Sequence, residues 1–155
     1  MDGRLVIRLL HALHAEEVAY KVVGAVALNL HGLARATEDL DLFVDPGEEN
    51  VARLRRALHR VFDDASIDEI EAADLAGDYP VIQYVPPTEG FHVDLLVRLG
   101  EAFGYDDIET DRIDVEGVPV PVASARMLYR MKHATVRPQD RADAARLKQK
   151  FRLED

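Results

Sequence analysis

The chain has 155 residues, 48% of them apolar and none of them cysteine, which suffices for one compact domain and excludes a disulfide framework, a thiolate metal site and a cysteine nucleophile. Its net charge of −10 excludes a generic basic nucleic-acid binder. No apolar run reaches the length needed to span a bilayer and the N-terminus carries no signal-peptide pattern, so a soluble cytoplasmic protein with no membrane partner is expected.

Leu5, Leu9, Leu10 and Leu13 recur at helical spacing and predict an amphipathic first helix. Tyr20 to Val23 is a β-branched strand ending at Gly24. The small apolar run Ala25 to Leu33 predicts a buried helix, with Gly32 near its end as a stop. Leu40 to Val44 is a second strand, closed by Asp45-Pro46-Gly47. Glu48 and Glu49 open a helix to about Arg60, where early acids suit the N-terminal dipole. Ser66 to Leu75 reads as a short helix. Val81 to Val85 and His92 to Val97 read as strands joined through Pro86-Pro87-Thr88-Glu89-Gly90. Ile113–Val115 and Val118–Val122 flank Glu116-Gly117 as a hairpin. Ser124 is an N-cap for a helix to Val136, and Pro138 opens a last helix to about Phe151. The pattern is α/β (α+β): a mixed sheet flanked by helices. It is expected to form one domain, 1–155, with a core over about 18–123 and a C-terminal helical segment over 124–155.

The chemistry concentrates between residues 22 and 44. A strand ends at Gly24, a helix follows, a loop returns, and the next strand opens with Asp39-Leu40-Asp41. Strand residues i and i+2 share a side, so Asp39 and Asp41 project together. Carboxylates held that close repel unless a proton or cation lies between them. Mg²⁺ is the natural occupant, as a hard ion taking carboxylate and phosphate oxygens. Gly24 allows backbone to approach a ligand, and the helix start after it favours phosphate.

Strand, Gly24, then His31-Gly32-x-x-Arg35-x-Thr37-x-Asp39-x-Asp41 resembles the signature of the polymerase-β-type minimal nucleotidyltransferase superfamily. Within it, the chain is most similar to the AbiEii and MenT-like toxins of type IV toxin–antitoxin systems. The resemblance implies a third carboxylate on a neighbouring strand, which Asp94 in His92-Val93-Asp94-Leu95 supplies. A late helical Lys, Arg, Asp, Asp order is met by Lys132, Arg137, Asp140 and Asp143. It further implies transfer of a nucleoside monophosphate from an NTP to a hydroxyl of an RNA (a tRNA end) or of a protein. Two Mg²⁺ ions, with Mn²⁺ as the substitute, would be held by Asp39, Asp41 and Asp94, and Asp94 could take the nucleophile's proton. Gly24, Ala25, Arg35, Thr37, Lys132 and Arg137 are the implied nucleotide-binding residues, and a cognate antitoxin is an implied partner.

Ala25 departs from the pattern, which has Gly or Ser there: the methyl adds bulk and no hydroxyl remains. Its amide still donates, so altered phosphate contact is expected rather than a lost site. Two other readings stand beside this one: a catalytically weakened nucleotide-binding or interaction protein of the same fold, and an antitoxin-type protein adenylyltransferase. The latter group carries Gly-Ser and a shorter run to the Asp pair than the 13 residues between Ala25 and Asp39.

Other readings are purely structural. Thr37 can cap or turn, His31 can pack or hydrogen-bond, Arg35 can pair with Glu38, and Lys132 with Arg137 can neutralise the acidic middle. That middle is pronounced: residues 38–116 carry 22 acids against 6 bases, whereas 124–155 carry 9 bases against 4 acids. The basic tail is thus the expected contact for an RNA backbone.

Overall fold

The computed structural model describes residues 3–75, 81–87, 90–99, 103–133 and 138–153. Helix α1 (Gly3–Ala15) buries Leu5, Val6, Leu9, Leu10, Ala12 and Leu13 along one stripe, the helical spacing the sequence displays. Strand β1 (Tyr20–Val23) runs into helix α2 (Gly24–Leu30), and strand β2 (Asp39–Val44) into helix α3 (Glu48–Val61). Strands β3 (Val81–Tyr84), β4 (His92–Leu96), β7 (Thr110–Val115) and β8 (Val118–Ala123) complete a sheet of order β3-β4-β2-β1-β8-β7. Strands β5 (Arg98–Leu99) and β6 (Phe103–Gly104) form a separate two-stranded ribbon. Helices α5 (Ala125–His133) and α6 (Pro138–Phe151) pack on each other. Between α3 and β3 lie a 3₁₀ turn (Ala65–Glu69) and the short helix α4 (Ala72–Leu75).

The sheet is mixed, as its alternation predicts. β2 is antiparallel to β1 and parallel to β4, and β1 is parallel to β8. Leu40, Leu42 and Val44 are fully buried and alternate with the half-buried Asp39 and Asp41. One face of β2 therefore builds the core, while the other presents the two carboxylates near its start and buries Phe43 beyond them.

Two helices end earlier than their composition predicts. The helix expected over 25–33 stops at Leu30, because Gly32 takes a left-handed φ of +88°. The Gly32 and Leu33 amides then return to the carbonyls of Asn29 and Leu28, closing a Schellman motif. The helix expected over 66–75 is broken at Ile70, which is extended and buried, its carbonyl accepting from Arg55 Nη1 at 2.6 Å. Burying Ile70 in the core wins over continuing the helix. Ser124 does cap α5, accepting from the Met127 amide at 3.1 Å; the predicted continuation of α5 to Val136 lies outside the described residues. Among the described residues no helix is long and apolar enough to cross a membrane.

Candidate active site

Three strand ends build the site. Asp39 and Asp41 lie on one side of β2, and the parallel register sets Asp41 beside Asp94 and Asp39 beside His92 on β4. The antiparallel register sets Val23, the residue before Gly24, beside Asp41. Gly24 has a left-handed φ of +71°, and a Cβ there would collide with the Asp41 carboxylate, lying 2.9 Å from its Cγ. Only glycine lets α2 begin at that point with Asp41 in place.

The electrostatics follow from this crowding. Asp41 is pushed up to about 7, first by burial, then by a hydrogen bond with Asp94 and by the negative charges of Asp94 and Asp39, with Lys132 pulling the other way. A proton on Asp41 relieves the repulsion. Asp39 is turned to a different partner, accepting from His92 Nδ1 at 3.0 Å. Among the described residues no group of three or more His, Asp or Glu side chains is already arranged to hold a metal ion. The donor set nevertheless suits a hard divalent ion: three carboxylates on neighbouring strand positions, one of which needs a proton to tolerate the other two.

Lys132 reaches the site from α5. It lines a cavity of about 210 Å³ together with Val23, Gly24, Asp41, Leu96, Leu128 and Asp140. Its Nζ lies 3.2 Å from both Asp140 and Asp143, whose side chains are 4% and 0% exposed. Lys132 thus pairs with acids of its own basic tail, and its charge also acts on Asp41 of the acidic middle. Arg35 also joins this group, with Nε 3.3 Å from Asp143, so its partner is not Glu38.

The remaining predicted residues take supporting places. Thr37 Oγ1 donates to the Asp39 carbonyl and accepts from the Asp39 amide, fixing the entry to β2. His31 donates from Nε2 to the Ala123 carbonyl at 2.8 Å and meets the ring of Phe151 edge-on. Ala25 occupies the first turn of α2, half-buried. Arg137 lies outside the described residues. Sequence reasoning missed His92 as the partner of Asp39; its place two residues before Asp94 was the available signal, because in-register strands bring matched alternations together.

No curated protein sequence matches the chain. Among solved structures it is similar to TM1012 of Thermotoga maritima, assigned to the nucleotidyltransferases, at 17% identity and a TM-score of 0.54, covering 96% of this chain and 90% of that one. It is also similar to ANT(2'')-Ia in complex with adenylyl-2''-tobramycin, at 15% identity and a TM-score of 0.57, covering 96% and 88%. The solution structure of the antibiotic-resistance factor ANT(2'')-Ia matches at 14% identity and a TM-score of 0.55, covering 96% and 83%. At these identities the likeness shows a shared nucleotidyltransferase fold. The family model described as nucleotidyl transferase AbiEii toxin, type IV TA system, matches residues 8–150. The match spans most of the chain, and the chain belongs to the AbiEii nucleotidyltransferase toxin family.

Proposed function

We propose that this chain transfers a nucleoside monophosphate from an NTP to a hydroxyl of an RNA, with a tRNA end as the acceptor and Mg²⁺ as the cofactor. The observation that carries the reading is the register of Asp41 beside Asp94, with Asp39 two residues earlier and Gly24 packed beneath. Asp39 and Asp41 would hold two ions and Asp94 would complete the set on the attacking side, with Mn²⁺ able to replace Mg²⁺. When bound, the ions supply Lewis-acid charge at the reacting phosphate.

The chain's own residues do the rest. The amides at Gly24 and Ala25 meet the β- and γ-phosphates, while the absent side chain of Gly24 leaves room for the Asp41 carboxylate beside them. Lys132 keeps its place through Asp140 and Asp143 and presents positive charge to the cavity that Gly24 and Asp41 line. Arg137 adds a second charge to the triphosphate. Arg35 and Thr37 position the loop and the strand start through Asp143 and Asp39. The acceptor oxygen forms a bond to the α-phosphorus, the bond to pyrophosphate breaks, and Asp94 takes the hydroxyl proton.

RNA is favoured over a protein acceptor by the tail: Arg126 and Arg130 on α5 and Arg141, Arg146 and Lys148 on α6 are exposed, a local basic surface on an acidic chain. A cognate antitoxin is the proposed regulatory partner, and the cytoplasm the proposed location. The test is incubation with each α-labelled NTP, Mg²⁺ and total tRNA. Label on RNA that disappears with Asp39→Asn supports the reading. Label on protein alone replaces the acceptor, and no transfer with any NTP leaves the weakened nucleotide-binding protein.

A further inference from the structure

Among the described residues strand β3 ends the sheet, with β4 as its one neighbour. Among the described residues the backbone of β3 bonds to β4 alone, and the Tyr84 hydroxyl donates to Asp64 at 2.8 Å. Such an edge presents a row of backbone donors and acceptors that can template another strand. Three large apolar side chains are exposed among the described residues, and two of them, Val81 (44%) and Val85 (55%), bracket this strand.

A groove of about 420 Å³ runs along it, lined on one side by Ile82, Gln83, Tyr84 and Val85 and on the other by Glu69, Ile70 and Asp74. Three consecutive strand residues, pointing alternately to both faces, and Val85 directly after them line one groove. The groove therefore follows the strand's edge and not one of its faces.

Charge selects the occupant. No lysine or arginine occurs between Arg60 and Arg98, while Asp63, Asp64, Asp68, Glu69, Glu71 and Asp74 precede β3. A nucleic acid would be repelled here. A second copy of this chain would bring Glu69 and Asp74 against the same acids of its partner, which disfavours edge-to-edge self-pairing. A basic polypeptide fits both features, its backbone completing the sheet and its cations meeting the acids. We propose that the open edge of β3, with the groove between it and Glu69, is a docking site for an extended, lysine- or arginine-bearing segment of a partner protein, added as a seventh strand.

The site is separate from the proposed chemistry but adjacent to it, since Gln83 is register-paired with Asp94. The test uses the full ¹⁵N-labelled chain and a short peptide alternating Lys and Val, with a Glu/Val peptide as the control. Saturable amide shifts centred on 81–85 are expected with the basic peptide and none with the acidic one. Glu69→Lys should weaken binding about tenfold, and Val85→Asp should weaken it by a comparable factor through the apolar contact. Both positions are exposed, so both variants keep the native spectrum elsewhere. Added salt should weaken binding further. The proposal is overturned by an absence of saturable shifts, by shifts centred on α5 and α6, by binding indifferent to Glu69→Lys, or by sedimentation showing that β3 pairs with a second copy.

Discussion

The carboxylate of Asp41 fills the space in which residue 24 would carry a side chain, so Gly24 and Asp41 form one unit. The turn that would receive phosphates and the strand that would hold metal are locked together by the absence of a Cβ. Gly24→Ala should therefore cost more than its left-handed backbone, which alone is about 1–2 kcal/mol, because Asp41 must also move. Urea unfolding should show that loss, and Mg²⁺ binding should fall with it. Ala25→Ser is the contrasting change. It should leave stability within about 0.5 kcal/mol and tighten NTP binding by about threefold to tenfold, the worth of one hydrogen bond.

Asp41 makes the metal-free protein's stability depend on pH. Folded, it holds its proton up to about pH 7, whereas its ordinary value is 3.8. The folded state thus binds the extra proton between those values. Its stabilising contribution is complete below pH 3.8 and is lost as pH rises through 7. Asp41→Asn keeps a neutral side chain at every pH. In EDTA at pH 8 it should be more stable than the native chain by on the order of 2 kcal/mol, with no advantage at pH 3.8. Thermal unfolding across this range measures the difference.

Lys132 stands between two buried acids. Lys132→Met should destabilise by about 3 kcal/mol, since removing one partner of a buried ion pair strands the other. Asp143→Asn should be milder, because Lys132 retains Asp140. Denaturant titration of the two variants ranks them, and equal stability of Lys132→Met and the native chain would remove the structural role.

Tyr20 is buried on β1, and its hydroxyl has no hydrogen-bond partner among the described residues. Burial also pushes its ionisation well above the ordinary tyrosine value. Tyr20→Phe should stabilise by about 1 kcal/mol, the low end of the cost of an unsatisfied buried group, with no effect on NTP binding. Calorimetric melting checks both signs.

The strands around Gly24 and the Asp39–Asp41 pair were legible because alternation and punctuation are local signals. Thr37 was legible as a turn residue for the same reason: its partner, Asp39, is two positions away. What lay beyond reach depends on register. The Asp39–His92 contact joins β2 to β4 across 53 positions, and Arg35 reaches Asp143 across 108. No window of sequence carries those pairings. Lys132, Asp140 and Asp143 were identified by their order within one motif, but not the pairing of the acids with the lysine. The ribbon of β5 and β6 was missed because two-residue strands show no periodicity.

The account stands most directly on whether Asp41 and its neighbours hold a metal–nucleotide complex. Calorimetric titration of NTP into the native chain and into Asp41→Asn, each with Mg²⁺ and with EDTA, measures this. Binding by the native chain that requires Mg²⁺ and weakens at least about tenfold in Asp41→Asn, some 1.4 kcal/mol, is the predicted result. Binding that is equal in EDTA, or unchanged in Asp41→Asn, would contradict it.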